Sequence, residues 1–176
     1  MSPNEEKGII QKAKNGDRQA LGLIWDELTP KLFGYLISTL RDRTIAEDIL
    51  QITWLKAIDN LSKFEPRGVG FGAWLFAIAK NECRQHWRNQ KHEISFDPVE
   101  HDRPDINQSN TETTILVNQS LASLSEEDRE LVRLRYIADL SFRDIAAILK
   151  TNPITVRVRI HRAIARLRDA IVFQKS

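Results

Sequence analysis

The chain has few of the residues that mark disulfide-bonded, secreted or membrane-spanning proteins. Its 176 residues include one cysteine, so no intrachain disulfide can form and a cysteine-based zinc site is disfavoured. The sequence holds no apolar run long enough to span a bilayer, and its first residues lack the pattern of a secretory signal peptide. We therefore expect a cytoplasmic protein without a metal or other cofactor.

Glycine and proline are also scarce, with seven and six residues, and they stand mainly at apparent element boundaries. Helical periodicity covers two segments, separated by the polar and acidic stretch SFDPVEHDRPDINQSN at positions 95–110. The sequence therefore predicts an all-α protein of two small helical domains, residues 1–93 and 114–176, joined by a flexible acidic linker at 94–113. The net charge of +2 hides a segregation of charge, because basic and acidic residues cluster in different segments.

The second domain has the caps and the spacing of three helices. Ser125, followed by three acidic residues, predicts the start of one helix, and Ser141 with Asp144 predicts the start of the next. Asn152 before Pro153 predicts the cap of the last helix. The short connection before that cap is typical of a helix-turn-helix.

The last of these helices is apolar on one side and basic on the other. From position 150 to the C-terminus Asp169 is the one acidic residue, so the local charge is strongly positive. This pattern favours contact with the major groove of DNA over a merely solvated surface, where both signs of charge would be interleaved. The stripe predicted to face the core comprises Val156, Ile160, Ala163, Leu167 and Ile171.

The first domain shows several helices and one glycine-rich loop. Pro30 predicts the start of a helix that runs to Leu40, and Thr44 with Glu47 predicts a capping box for the following helix. The stretch KFEPRGVGFG at 63–72 is a loop, and a helix from Ala73 to about residue 88 follows it.

That helix places basic residues beside aromatic ones, a combination that suits unstacked bases. The basic edge consists of Lys80, Arg84, Arg88 and Lys91, with Trp74 and Trp87 nearby and two phenylalanines in the preceding loop. The alternative is that Phe64, Phe71 and Trp74 are simply core residues, because aromatic side chains at helical spacing usually are.

Three segments in the right order resemble the extracytoplasmic-function class of the bacterial sigma-70 family. AEDILQITWLKAI at 46–58 and KFEPRGVGFGAWLFAIAKN at 63–81 are similar to family segments of sigma domain 2. LSEEDRELVRLRYIADLSFRDIAAIL at 124–149, together with TVRVRIHRAIARLR at 155–168, resembles sigma domain 4. The resemblance implies a helical bundle for domain 2, a helix-turn-helix for domain 4, and a non-enzymatic factor that directs bacterial core RNA polymerase to promoter DNA.

The resemblance also implies roles for individual residues. Core polymerase binding falls to Asp48, Ile49, Gln51, Ile52 and Leu55. Contacts with the melted −10 element fall to Lys63, Phe64, Arg67, Phe71, Lys80, Asn81, Arg84 and Arg88. Contacts with the duplex −35 element fall to Arg143, Asn152, Thr155, Arg157, Arg159, His161 and Arg162. The family further implies an anti-sigma factor as a protein partner, and no small-molecule substrate.

The chain departs from the family pattern at Ile52, Gln85, Ile154 and Val158. The last two replace small or polar residues of the recognition helix, which points to an unusual −35 sequence. Two other classes of DNA-binding protein fit the sequence less well. A conventional helix-turn-helix regulator would leave the domain 2 segments unexplained, and a recombinase or nuclease would need a metal triad that the carboxylates of the first domain do not form.

Overall fold

The computed structural model describes residues 3–65, 68–94 and 124–174, and the chain divides into two compact units, Met1–Pro104 and Asp105–Ser176. The described residues form helices and their connections, with no strand among them. The predicted linker at 94–113 lies almost entirely outside these residues. None of the described helices is both long and apolar enough to cross a membrane.

The described residues of the first unit form four α-helices and one short 3₁₀ turn. These are α1 (Pro3–Lys14), α2 (Arg18–Leu40), α3 (Arg43–Asp59), the 3₁₀ turn Leu61–Lys63 and α4 (Phe71–Ile94). Helix α2 lies at the centre, because it packs against α1, α3 and α4. The edge of the Phe76 ring meets Tyr35 at a centroid distance of 5.5 Å, and Trp54 is almost fully buried. This core fixes the positions of α3 and α4 relative to each other.

Helix α2 runs through Pro30, so the expectation that a new helix begins there is wrong. Proline in a helix interior removes one backbone hydrogen bond. The helix continues because its buried side chains on both sides of Pro30 form one apolar face, including Ile24 before it and Leu36 after it. Tertiary packing of such a face outweighs local propensity.

Helix α3 begins two residues earlier than the sequence suggests. The side chain of Asp42 accepts a hydrogen bond from the Ile45 N–H at 3.0 Å, so Asp42 is the N-cap and the predicted capping box of Thr44 and Glu47 does not form. Glu47 instead accepts a hydrogen bond from Arg43 Nε at 2.8 Å.

The described part of the second unit contains α5 (Glu126–Val132), a π-helical turn (Arg133–Ile137), α6 (Phe142–Leu149) and α7 (Pro153–Gln174). Both α5 and α6 pack against α7. The predicted caps are confirmed. Ser125 Oγ accepts from the Asp128 N–H, Ser141 Oγ from the Asp144 N–H, and Asn152 Oδ1 from the Ile154 N–H, at 3.2, 3.1 and 2.7 Å.

The stripe predicted for the last helix faces the core of the second unit. Val156, Ile160 and Ala163 are buried there, and Leu167 is half-buried. The side chain of Ile171 lies outside the described residues. Lys150, at φ 53°, makes the left-handed turn that ends α6 and allows α7 to cross it. The described part of this unit is therefore a helix-turn-helix.

Candidate nucleic-acid interface

One face of α3 presents polar and apolar side chains to solvent. Asp48, Gln51, Ile52 and Leu55 are exposed at positions i, i+3, i+4 and i+7, which lie on one side of a helix. Ile49, also predicted to contact polymerase, is buried in the core between α3 and its neighbours. The four exposed side chains form a strip along α3 that a partner can reach.

An open cleft with a volume of about 570 Å³ lies between the end of α3 and the first half of α4. Hydrogen-bonding side chains line part of the cleft, and aromatic side chains form one wall of it. Its volume is in the range of cavities that bind small ligands. An ion pair between Lys56 Nζ and Glu82 Oε1, at 2.7 Å, connects α3 to α4 at its wall. The residues that line the cleft are Lys56, Asn60, Lys63, Phe64, Glu65, Trp74, Ile78, Asn81 and Glu82.

The aromatic residues near the cleft form one cluster with two roles. The Phe64 ring lies 5.0 Å from that of Trp74 and 5.3 Å from that of Phe71. Phe64 and Trp74 line the cleft, and Phe71 does not. Phe64 and Phe71 are both buried, whereas Trp74 is half-buried. Phe71 therefore supports the wall from the core, and its direct contact with DNA stays a prediction. The alternative that these aromatics are core residues fits the burial of Phe64 and Phe71, whereas Trp74 keeps part of its side chain exposed at the cleft.

Two side chains of α1 hold the segment that leads into α4. Glu6 Oε1 accepts a hydrogen bond from the Phe71 N–H at 2.7 Å, and Lys14 Nζ donates to the Phe64 carbonyl at 2.9 Å. A Cβ added at Gly70 would lie 3.2 Å from the Glu6 carboxylate, so the close approach favours glycine there. Sequence reasoning missed both residues, because no local pattern connects positions 65 and 50 residues apart.

The basic edge of α4 extends beyond the cleft. Asn81, Arg84 and Arg88 are exposed, and Lys80 is half-buried. The Arg88 guanidinium donates to Gln85 Oε1, so Gln85 orients an arginine. Arg67 lies outside the described residues. Sequence analysis also missed Lys56, in the last turn of α3, and Asn60, the residue that ends that helix, because neither position carries a distinctive signal.

The exposed surface of α7 carries most of the residues predicted to contact duplex DNA. Thr155, Arg157, His161 and Arg162 are exposed there, and Arg143 is exposed on α6. The side-chain oxygen of Asn152 is occupied by the α7 cap, so its main role is to begin the helix. These basic groups at the start of α7 provide positive charge where a helix-turn-helix meets DNA.

Arg159, predicted as a DNA contact, is partly exposed, and its guanidinium binds carboxylates of α5. Its guanidinium donates to Asp128 Oδ1 through Nε at 3.2 Å and Nη2 at 2.8 Å, and Nη2 also donates to Glu127 Oε2 at 2.9 Å. Arg166 Nη1 donates to the other Asp128 oxygen at 3.1 Å. The hydrogen bonds from Arg159 to Asp128 raise the pKa of the guanidinium, with a further contribution from Glu127. Arg159 therefore fixes α7 against α5.

The described residues include no group of three or more histidine, cysteine, aspartate or glutamate side chains that could hold a metal ion. Cys83, the one cysteine, is buried in α4. What these surfaces can do chemically is to form hydrogen bonds, stack against aromatic rings and neutralise phosphates.

Comparison with known proteins agrees with this geometry over most of the chain. The sigma-70 region 2 family model matches residues 24–93, and the sigma-70 region 4 model matches residues 115–167. The RNA polymerase sigma factor CarQ of Myxococcus xanthus is 29% identical, over 92% of this chain and 95% of its own. Other relatives, matched over more than nine tenths of this chain, are described as ECF RNA polymerase sigma factors.

Two solved structures share the fold. One is the sigma factor RpoE of Bartonella quintana in complex with the anti-sigma factor NepR, with 27% identity, a TM-score of 0.70, and coverage of 86% of this chain and 96% of that one. The other is CnrH in complex with the cytosolic domain of CnrY, with 25% identity, a TM-score of 0.70, and coverage of 97% and 99%.

The two matched family regions fall one in each helical unit. The chain belongs to the sigma-70 family, in its extracytoplasmic-function class. It is an RNA polymerase sigma factor, which binds core RNA polymerase and promoter DNA and acts in transcription initiation. A stand-alone helix-turn-helix regulator is not favoured, because the region 2 match covers most of the first unit.

Proposed function

We propose a division of labour between residues 1–93, which bind core polymerase and the −10 element, and residues 114–176, which bind the −35 element. Residues 94–113 are the linker between these two tasks. The single observation that carries the proposal is the cleft of the first unit, where hydrogen-bonding groups and an aromatic wall occur together outside any duplex-binding motif.

The exposed strip of α3 is the proposed contact with core polymerase. Ile52 and Leu55 are apolar and accessible on this helix face, beside Asp48 and Gln51. Burial of such side chains at an interface removes apolar surface from water, and the flanking polar groups can provide hydrogen bonds that fix the orientation.

The cleft is the proposed site for a base extruded from the non-template strand of the −10 element. Asn60 and Asn81 offer both donors and acceptors. Trp74, whose ring packs on the buried Phe64, offers a ring surface against which a base can pack. Unstacking a base costs a few kcal/mol, and stacking on protein rings returns roughly 1–3 kcal/mol per base. Capture in the cleft therefore shifts the equilibrium toward open DNA, with Arg84 and Arg88 near the strand backbone.

Helix α7 is the proposed reader of the −35 element. Arg157 and Arg162 can neutralise phosphates on the two sides of the groove, while Thr155 and His161 reach base edges, with Arg143 of α6 contacting the backbone. Asn152 contributes by capping α7. Neutralised phosphates release counterions, so binding is expected to weaken steeply with salt.

Three further properties follow from this role. Both solved neighbours are complexes with a protein partner, an anti-sigma factor in one case, so we propose an anti-sigma factor for this chain. A protein that works on polymerase and promoter DNA belongs in the cytoplasm. Polymerisation is carried out by the core enzyme, so the chain itself performs no catalysis.

The cleft assignment is tested by Asn81→Ala, with Asn89→Ala on the same helix as the matched control. Both side chains are exposed polar amides, but only Asn81 lines the cleft. Permanganate reactivity of −10 thymines is measured with core polymerase and each variant. Loss of one hydrogen bond should reduce opening about fivefold for Asn81→Ala. Equal reactivity for the two variants would show that the cleft does not capture the base.

A further inference from the structure

Two aliphatic side chains stand exposed on the DNA-facing helix of the second unit. Ile154 is 73% exposed, more than any other large apolar side chain in the described part of the chain, and Val158 is 43% exposed. They are four residues apart, so they lie about 40° apart around the helix axis. Val156 lies between them in sequence, on the opposite side of α7, and is buried. The pair is therefore separate from the core stripe.

The surroundings of this apolar pair are basic. At 100° per residue, Arg157 lies on one side of the pair and Arg162 on the other, with His161 between them. None of these three side chains takes part in an ion pair within the described residues, unlike Arg159 on the neighbouring face. The apolar strip of Ile154 and Val158 lies between the guanidinium groups of Arg157 and Arg162. Such a surface is complementary to a polyanion whose two charged edges flank an apolar group.

Duplex DNA has this arrangement in the major groove. Phosphates line both edges, and the C5-methyl group of thymine is the apolar group that base pairs present on the groove floor. A protein partner would have to cover two unpaired arginines at a cost in desolvation, which favours DNA as the occupant.

We propose that Ile154 and Val158 contact thymine methyl groups, so that the −35 element of this sigma factor contains thymines at the two positions facing them. The inference rests on the proposed role of α7 and names the bases that it recognises. Adding or removing one buried methyl group should change affinity about threefold to fivefold. The departures of this chain from the family pattern at positions 154 and 158 are then its specificity determinants.

The test uses the full chain assembled with core polymerase. Preferred −35 duplexes are selected from a randomised pool, and each thymine of the selected duplex is then replaced by deoxyuridine, which removes the methyl group and keeps base pairing. The affinity of the wild-type chain for the duplex should fall about threefold to fivefold when thymine is replaced by deoxyuridine at either of two positions. The Ile154→Ala variant should bind thymine and deoxyuridine equally well at one of these positions, and the Val158→Ala variant at the other. Leu23→Ala, an exposed apolar residue of the first unit, should keep the discrimination at both positions.

Two outcomes would overturn the inference alone. One is a selected duplex in which deoxyuridine equals thymine at every position, and the other is full discrimination retained in both alanine variants. If Ile154→Ala leaves duplex affinity unchanged but weakens binding to core polymerase, the strip is a protein contact and the inference is wrong. If no duplex is selected and Arg157→Ala has no effect, the proposed role of α7 fails as well.

Discussion

Replacing Asp128 by alanine should destabilise the second unit without affecting the first. Its carboxylate is only 11% exposed and accepts three hydrogen bonds, two from Arg159 of α7 and one from Arg166. Hydrogen bonds to charged groups contribute about 1.5–3 kcal/mol each in favourable cases. Because both arginines are partly exposed, solvent screens these pairs, and we expect a total loss of about 2 kcal/mol.

The chain provides an internal control for this measurement. All four tryptophans, Trp25, Trp54, Trp74 and Trp87, lie in the first unit, so tryptophan fluorescence reports on that unit alone. Urea unfolding is followed by fluorescence and by hydrogen exchange of α5 and α7 peptides in the full chain. Exchange protection of α5 and α7 should fall in Asp128→Ala, while the fluorescence transition should stay at the same urea concentration.

Glu127→Ala is the matched control, because Glu127 binds the same arginine at 2.9 Å but is 81% exposed. An exposed ion pair contributes at most about 0.5–1 kcal/mol, so this variant should lose much less protection. Equal losses for the two variants, or a shift of the fluorescence transition in Asp128→Ala, would refute the claim that Asp128 joins α5 to α7.

Three further predictions concern the other surfaces. Glu6→Ala removes the acceptor for the Phe71 N–H at the start of α4 and should cost about 1 kcal/mol, measured as a shift of the tryptophan-fluorescence transition in urea. Leu55→Glu places a charge in the proposed polymerase contact and should weaken core binding more than about tenfold, measured by fluorescence anisotropy with labelled chain. Arg157→Ala should weaken binding to all duplexes alike and lower the slope of log affinity against log salt by about 1, measured by titration at several salt concentrations.

Each of these variants has a control that differs in one respect. Glu6→Gln keeps an acceptor oxygen and should lose less stability than Glu6→Ala. Leu23→Glu alters a leucine of similar exposure on α2 and should leave core binding intact. Arg168→Ala, further along α7, should leave the salt slope unchanged. If a control and its test variant behave alike, or if Arg157→Ala abolishes core binding, the corresponding surface is misassigned.

Local sequence patterns predicted the helix starts and the buried face of α7 in the second unit. The caps at Ser125, Ser141 and Asn152 are formed by residues within three positions of the N–H groups that they accept, so short-range patterns suffice to find them. The apolar stripe of α7 is likewise a local property of its spacing.

Local patterns of this kind do not predict contacts between positions that are far apart in the sequence. The sequence predicts a DNA contact for Arg159. Its guanidinium donates a hydrogen bond to Asp128, which is 31 residues away, and no neighbouring residue indicates that contact. No sequence pattern indicated that the Glu6 carboxylate accepts a hydrogen bond from the Phe71 N–H at the start of α4. Pro30 carried a strong local signal for a helix start that the packing of α2 against three neighbours overrode.

The most direct test of the central claim is run-off transcription with bacterial core RNA polymerase on genomic fragments, with and without this chain. A sigma factor should yield promoter-specific transcripts only when the chain is present. Leu55→Glu should reduce these transcripts by weakening assembly with core. Absence of promoter-specific transcripts, together with failure of the chain to co-purify with core polymerase, would contradict the account.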